Sequence, residues 1–392
     1  MGDIMEEKKN IPAIRFKGFK GEWEERKLGE IMNVTSVKRI HQSDWTNTGI
    51  RFLRARDIVS IYKNENPSEY LYITKEKYFE YSLISGKVNT NDLLVTGVGT
   101  IGVPLLIKSD DPIYFKDGNI IWFKNENAIN GNFLYYSFVG NRIQGYIKDS
   151  AGIGTVGTYT IESGKKTPLY FSTKQEQSQI GTFFQNLDKQ ITLEQQKHDK
   201  LVTLKKAMLE KMFPKEGASV PEIRFEGFEG EWEESNIKEI FNYLRPDNYI
   251  VSTEDYSDDF DTPVLTANKA FILGYTNETR TYDYPCVIID DFTLDFKYVD
   301  FPFMVKSSAL KILTIKNVIK YDLIFIFNLF QTLKFEIMGH ARHYIGVVQQ
   351  MSVLTPSPKE QSVIGSYFQN LDTLISLQQQ KIDKLKNIKK AC

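Results

Sequence analysis

Residues 176–207 read EQSQIGTFFQNLDKQITLEQQKHDKLVTLKKA, and residues 360–391 read EQSVIGSYFQNLDTLISLQQQKIDKLKNIKKA. Twenty-one of these 32 positions are identical at a constant offset of 184. In the first copy Ile180, Phe184, Leu187, Ile191, His198, Leu201, Met208 and Met212 fall on heptad positions four and three apart. In the second, Ile364, Phe368, Leu371, Ile375, Ile382 and Leu385 repeat the pattern. This periodicity predicts two long amphipathic helices with a coiled-coil-like seam. Glu194 and Gln378 interrupt the seam at its middle, where a polar residue fixes register at a cost in stability. The first helix has no proline before Phe213-Pro214, where it must stop because proline cannot continue it. It is far longer than a typical globular helix, so burial inside one domain does not account for it.

Outward from the helices the chain is written twice. Residues 11–31, IPAIRFKGFKGEWEERKLGEI, align with 220–240, VPEIRFEGFEGEWEESNIKEI, at an offset of 209 with 13 of 21 positions identical. Between these blocks, residues 32–170 and 241–355 yield no alignment. The offsets differ by 25, so the first variable region is the longer by about that much. A solenoid needs many short units, which excludes that class. The expected order is a globular domain with its opening motif over 11–175, a helix over 176–213, a second domain over 214–358 and a second helix over 359–392. Helix one leads into the second variable region and helix two leaves it, so mutual packing predicts an antiparallel pair. A globular region would then stand at each end, related by an approximate two-fold. At 1.5 Å per residue the first helix spans roughly 57 Å, comparable to one or two turns of B-DNA at about 34 Å each.

The variable regions alternate short β-rich runs with turn signals. Examples are Asp92–Thr96, Asn119–Phe123, Pro285–Ile289 and Leu310–Ile315, with helical stretches at Asn132–Gly140 and Tyr321–Gly339. The pattern is α+β and not a regular βαβ series. Gly97-Val-Gly99-Thr-Ile-Gly102 and Gly152-Ile-Gly154-Thr-Val-Gly157 both match GxGxxG. A dinucleotide loop must open a helix, whereas extended sequence follows each of these, so they read as turns allowing close backbone approach.

The chain has 392 residues, with 49 basic against 50 acidic side chains, 21 Tyr and 26 Phe. That aromatic content excludes disorder, and the apolar stretch around Leu323–Phe330 is too short to span a membrane. The polar N-terminus carries no secretory signal. Cys286 and Cys392 form neither a zinc spacing nor a disulfide framework, which suits a reducing cytoplasm. There is no GxxxxGK[ST], no HExxH, no Asn/Asp-Pro-Pro-aromatic loop, and no Glu-x-Lys within nuclease-like reach of Pro246-Asp247. His340 and His343 lack further ligands nearby in sequence. The chain therefore reads as non-catalytic. Residues 32–170 carry 16 basic and 13 acidic groups and residues 241–355 carry 10 and 14, so no domain-wide basic footprint is present. Phosphate neutralisation would require a local stripe or partner subunits.

Taken together, the doubled P-x-I-R-F-x-G-F-x-G-E-W-E motif at Pro12 and Pro221 resembles the specificity subunits of type I restriction-modification systems. Further marks are the proline preceding each Glu-Gln (Pro168 before Glu176-Gln177, Pro356 before Glu360-Gln361), Gly99-Thr-Ile-Gly102 after a strand, and FFQNLD and YFQNLD at the helix starts. The resemblance covers nearly the whole chain. It implies two target recognition domains reading the halves of a split asymmetric DNA sequence, with the helix pair setting the gap. It also implies docking of two methyltransferase subunits, and of restriction subunits in a full complex. Those partners would bind S-adenosylmethionine, ATP and Mg²⁺ and perform the adenine methylation and cleavage, with none of these cofactors on this chain. The helix-pair interface would use Ile180, Phe184, Leu187, Ile191 and Leu201 with Ile364, Phe368, Leu371, Ile375, Ile382 and Leu385. One departure is that helix two ends at Lys390-Ala391-Cys392, so Leu209, Met212 and Phe213 have no equivalents.

Base recognition needs donors and acceptors on exposed loops. The candidates are Lys38, Arg39, Arg54, Arg56, Thr100 and Lys116 in the first domain. In the second they are Thr266, Asn268, Lys269, Arg280, Lys297, Arg342 and His343. A protein-only adaptor, with two binding modules on a coiled coil and no DNA target, is the alternative the weak charge leaves open.

Overall fold

The computed structural model describes residues 10–151, 157–267, 270–335 and 344–391. They form two compact units, one of residues up to Thr192 together with Leu385 onward, the other Leu193–Lys384.

In the first unit the strands are β1 (Glu24–Lys27), β2 (Asn33–Thr35), β3 (Ile50–Leu53), β4 (Leu71–Ile73), β5 (Leu93–Thr96), β6 (Pro104–Leu106), β7 (Ile113–Phe115), β8 (Ile120–Lys124) and β9 (Pro168–Phe171). Its short helices are α1 (Leu28–Ile31), α2 (Ala55–Tyr62), α3 (Lys75–Ser85), α4 (Gly131–Val139), α5 (Asn141–Ser150) and α6 (Ile161–Lys166). A four-stranded antiparallel sheet runs β2-β8-β5-β6, and a three-stranded sheet runs β4-β3-β7 with β3 and β7 parallel. β5 is buried at all four positions, which is why Leu93-Leu-Val-Thr96 reads as a continuous apolar run and not an alternating one. One core, around Trp122 and Phe115, lies by the three-stranded sheet. Another, around Phe123, Phe133 and Phe138, lies by α4.

The second unit repeats this plan. Its strands are β10 (Glu233–Asn236), β11 (Phe241–Leu244), β12 (Thr262–Leu265), β13 (Ile272–Thr276), β14 (Cys286–Asp290), β15 (Phe296–Val299), β16 (Met304–Val305), β17 (Leu310–Ile315) and β18 (Ser352–Thr355). The four-stranded order is β11-β17-β14-β15, and the three-stranded order is β13-β12-β16, again with one parallel pair, β12 with β16. The two variable regions therefore share a fold that their sequences do not reveal. Helices α2 and α3 have no counterpart among the described residues between β12 and β14, and the length difference falls largely there.

Two long helices, α7 (Lys174–Lys211) and α10 (Pro358–Ala391), follow β9 and β18; α8 (Ile237–Ile240) and α9 (Leu323–Thr332) complete the chain. Within the second unit the two long helices run antiparallel. The Gln378 amide donates to the Glu194 carboxylate and, at 3.0 Å, to its backbone carbonyl. Further along, Lys205 Nζ lies 2.6 Å from Asp372 and Phe213 packs on Phe368. Within the first unit Lys389 meets Asp188 at 2.6 Å, the counterpart of the Lys205–Asp372 pair at the offset of 184. Leu187, Ile364, Phe368, Leu371 and Ile382 are buried, and Ile180, Phe184, Ile191, Leu201, Ile375 and Leu385 are half-buried. The first turns of each seam face the globular core as well: Phe184 stacks on Tyr136 at 5.1 Å, and Ile364 and Phe368 join the cluster around Phe325.

The repeated motifs meet one another in space. Arg15 holds Glu176 with both ends of its guanidinium, at 2.6 and 2.7 Å, and also donates to Gly21 O. Arg224 does the same to Glu360, at 2.7 Å twice, and to Gly230 O. The neighbouring glutamine completes each joint: Gln177 Oε1 accepts from Asn130 N, and Gln361 Oε1 from Asp322 N, both at 3.0 Å. Asn130 and Asp322 are themselves the N-caps of α4 and α9. A glycine four residues on lets the long helix reach those caps. A Cβ at Gly181 would lie 2.8 Å from Asn130 Oδ1, and one at Gly365 2.7 Å from Asp322 Oδ1. The opening strand is pinned as well, β1 to β9 and β10 to β18. Each unit is thus closed by its opening motif, its last strand and the start of its long helix.

Candidate nucleic-acid interface

In the first unit the chain leaves β2 toward Lys38 and Arg39, crosses from β5 to β6 through residues 97–103, and enters β8 from Lys116–Asn119. These loops lie at one end of the four-stranded sheet. The Gly97 N–H donates to Asn119 O at 2.8 Å, and Ser36 Oγ donates to Ile120 O at 3.3 Å. A side chain at Gly97 is impossible, since its Cβ would stand 2.5 Å from Tyr159 O. The hairpin is held from inside by Thr96, whose hydroxyl donates to Thr100 O at 2.5 Å and accepts from Val103 N at 2.9 Å. Thr100 is left exposed at the turn. Strand β6 follows and not a helix, so the first GxGxxG is a hairpin and no pyrophosphate cradle; the second lies largely outside the described residues.

Asp117 gathers the cations. Arg39 Nε donates to it at 2.8 Å and Lys116 Nζ at 3.1 Å. Burial raises the Asp117 carboxyl pKa, but the two cationic donors outweigh it and hold it below the usual carboxylate range. The Arg39 side chain is 67% exposed and uses only Nε on Asp117, so its terminal nitrogens remain presented to solvent. Lys38 is anchored by its backbone: its N–H donates to Ser85 Oγ at 2.7 Å and its carbonyl accepts from Tyr114 OH at 2.8 Å. Its ammonium stands 4.5 Å from the centre of the Tyr81 ring, which Lys77 approaches at 4.8 Å. Lys77, not singled out by the sequence, joins this group through Tyr81.

Arg54 and Arg56 form a neighbouring group, because Lys116 N donates to Leu53 O at 2.8 Å across the parallel β3–β7 pair. Arg54 departs from the expected exposed loop position. It caps α2 and spends its donors on Asp57 and on the carboxylate and carbonyl of Glu69, with the side chain 13% exposed. Arg56, 58% exposed, shares Glu69 at 3.1 Å. The structure thus brings the six first-unit candidates to connected segments, five on loops and Arg56 in the first turn of α2, with Arg54 turned inward.

The second unit has the same frame with different side chains. Lys306 N donates to Leu265 O at 2.8 Å, as Lys116 does to Leu53, so Lys306 occupies the position of Lys116. Its ammonium pairs with Glu254 and stands 5.8 Å from the Tyr256 ring. Arg280 reaches the same 252–254 segment, donating to Ser252 Oγ at 2.7 Å beside Glu278 at 3.3 Å. Thr266 corrects the expectation of an exposed contact. It is 7% exposed, because its N–H closes a turn on Phe271 O. Lys297 lies on the edge strand β15, paired with Asp295 at 3.0 Å, apart from the Arg280–Lys306 segment in the sheet order. Asn268, Lys269, Arg342 and His343 lie outside the described residues, as does His340. Exposed Arg245, one residue beyond β11, is a further cation the sequence reading passed over. Among the described residues no group of three His, Cys, Asp or Glu could hold a metal ion, and no helix is long and apolar enough to cross a membrane.

Two similar units, each carrying cation-bearing loops at a sheet end and closed by the same Arg–Glu clamp, define a class of duplicated recognition proteins. Comparison with known proteins places this chain within it. The type I restriction modification DNA specificity domain matches residues 20–203 and 229–387, and the chain belongs to that family. It is 40% identical over 139 residues to the type I restriction enzyme EcoR124I/EcoR124II specificity subunit of Escherichia coli. The match spans 34% of this chain and about a third, 34%, of that relative's length. In fold it is similar to the S subunit of a type I restriction-modification system from M. genitalium, with TM-score 0.67 and 15% identity, covering 98% of this chain and 97% of that one. A second similar structure, from work on complex assembly and conformational transition of the type I R-M system, gives TM-score 0.51 at 13% identity over 97% of each chain.

Proposed function

We propose that this chain is the DNA-specificity subunit of a type I restriction-modification complex, each unit reading one half of a split asymmetric target. The observation that carries the reading is the repeat of one frame with changed side chains at the same loops. Lys116 and Lys306 hold equivalent positions, yet the first stands beside Arg39 and Asp117 and the second beside Glu254 and Tyr256. A shared cation suits a phosphate, which is the same in any sequence, while differing neighbours suit different base edges. The long helices set the gap between the half-sites and, with the clamps, carry two methyltransferase subunits and the restriction subunits. Adenine methylation and cleavage belong to those partners, with S-adenosylmethionine, ATP and Mg²⁺ bound there, in the cytoplasm. The protein-only adaptor loses its support to the family match.

The test is a methylome map of DNA from cells co-expressing this chain with its cognate methyltransferase subunit. A split motif of methylated adenines that disappears when the chain is omitted is the expected result. No new methylation despite a stable purified complex would refute the proposal.

A further inference from the structure

The two long helices are near copies, so a seam that joins α7 to α10 would also join either helix to its own copy in a second chain. Five of the seven seam positions from Ile180 to Leu201 carry the same residue at the offset of 184. The ion pairs Lys205–Asp372 and Lys389–Asp188 are likewise one pair written twice. Two of those seven positions differ: Glu194 against Gln378, and His198 against Ile382. The second difference does not tell one pairing from another. On an antiparallel pair the position a turn beyond a meeting point faces the position a turn before it. Here that position, Ile191 or Ile375, is isoleucine on both helices. The first difference does discriminate, because Glu194 and Gln378 are equivalent in the repeat and also meet each other within the second unit. In any like pairing, equivalent residues that face each other become identical residues: Glu against Glu for two α7 helices, Gln against Gln for two α10 helices.

We infer that this layer assigns α7 to α10 and rejects the pairing of either helix with its own copy in a second chain. The layer as built holds one carboxylate, its side chain 8% exposed, and satisfies it from both helices. Gln378 donates its amide, Lys381 Nζ donates at 2.8 Å and Lys197 Nζ at 3.2 Å. A second carboxylate would face the first across the seam, where both stay ionised only at a cost. With no carboxylate, Lys197 and Lys381 lose their shared anion and a charge-assisted hydrogen bond becomes a neutral one. Lys197 and Lys381 are themselves equivalent at the offset of 184. A carboxylate carried by position 378 would therefore find the same set of donors, and the rule is one carboxylate per layer on either helix. Like pairing would join two copies of one variable region, because α7 follows β9 and α10 follows β18.

Single substitutions place each like layer inside one full chain, so the discrimination is measured without a second copy. Gln378→Glu creates the Glu–Glu layer, Glu194→Gln creates the Gln–Gln layer, and the double variant exchanges the two residues. Amide exchange is read at neutral pH over residues 193–205 and 371–384, with α4 as the internal control. Gln378→Glu is expected to quicken exchange there by at least about tenfold, and Glu194→Gln by roughly threefold. The exchanged pair is expected to return to within about twofold of the original chain, because the layer again holds one carboxylate and one amide. Two results overturn the inference. One is a double variant in which the two losses add, which would mean that each residue acts singly and not as a matched pair. The other is a pair of single variants whose effects cancel or are both absent, which would make like pairing no worse than unlike.

Discussion

Replacing Phe213 by alanine tests how the second unit is closed. The ring is 2% exposed among three aromatic neighbours, all within 6.1 Å. Losing a fully buried phenylalanine side chain costs about 3–5 kcal/mol, the lower value applying where neighbours collapse into the space. Met212, flexible and adjacent, can move part-way in, so about 3 kcal/mol is the expected loss. Exchange of buried amides in Leu323–Thr332 and in the first turns of α10 should then quicken by on the order of a hundredfold, at tenfold per 1.4 kcal/mol. Amides of Gly131–Val139, in the first unit, should not change. The measurement is hydrogen exchange by mass spectrometry on the full chain under native conditions. Unchanged exchange in α9, or equal quickening in both units, would show that Phe213 does not close the second unit in particular.

The clamps predict coupling. Arg224→Ala and Glu360→Ala should each lower the denaturant midpoint, and the double variant should lose less than the two single losses added, because either change alone strands a charge; strict additivity argues against the joint. Gly365→Ala forces a Cβ to within 2.7 Å of Asp322 Oδ1 and should destabilise by about 1–3 kcal/mol, a loss that calorimetry would detect and whose absence would deny the close approach. Glu194, held down to about 2 first by the bond from Lys381 and then by that from Gln378, has a folded pKa below its unfolded value. Its contribution is therefore present above the unfolded carboxylate range and is lost as pH falls toward 2. Glu194→Gln should flatten the acid limb of the stability curve, and an unaltered limb would place that titration elsewhere. In the assembled complex, Lys116→Ala and Lys306→Ala should weaken DNA binding on all sequences and reduce its salt dependence. Relaxation of the recognised sequence at one base would instead make either lysine a base contact.

The heptads at 176–207 and 360–391 needed only period counting, and the buried strands Leu93–Thr96 and Cys286–Asp290 stood out because a strand covered on both faces writes a nearly continuous apolar run. The clamps were half legible. Arg15 and Glu176 appear in both repeats, yet 161 residues separate them and nothing linear says that they touch. The common fold of the variable regions escaped alignment because sheet pairing constrains burial and not identity. One short signal did survive: Pro112-x-x-x-Lys116-x-x-x-Ile120 recurs as Pro302-x-x-x-Lys306-x-x-x-Leu310, and it marks the equivalent strand ends. Reading it would have found Lys306 beside Lys116. Exposure of single residues was the least legible property. Arg54 and Thr266 each follow a β-strand at matching positions and both look like loop donors. Arg54 turns inward because Asp57 and Glu69 bind its guanidinium, while Thr266 is buried where its N–H meets Phe271 O. The same frame thus takes a long, helix-bearing connection between β3 and β4 in one unit and a six-residue connection between β12 and β13 in the other. The two sheet orders and the two Arg–Glu clamps are the same in both units although those connections differ, so the loops at the sheet end can change their side chains without disturbing the closure of either unit, which is what the proposed reading of two half-sites asks of the frame.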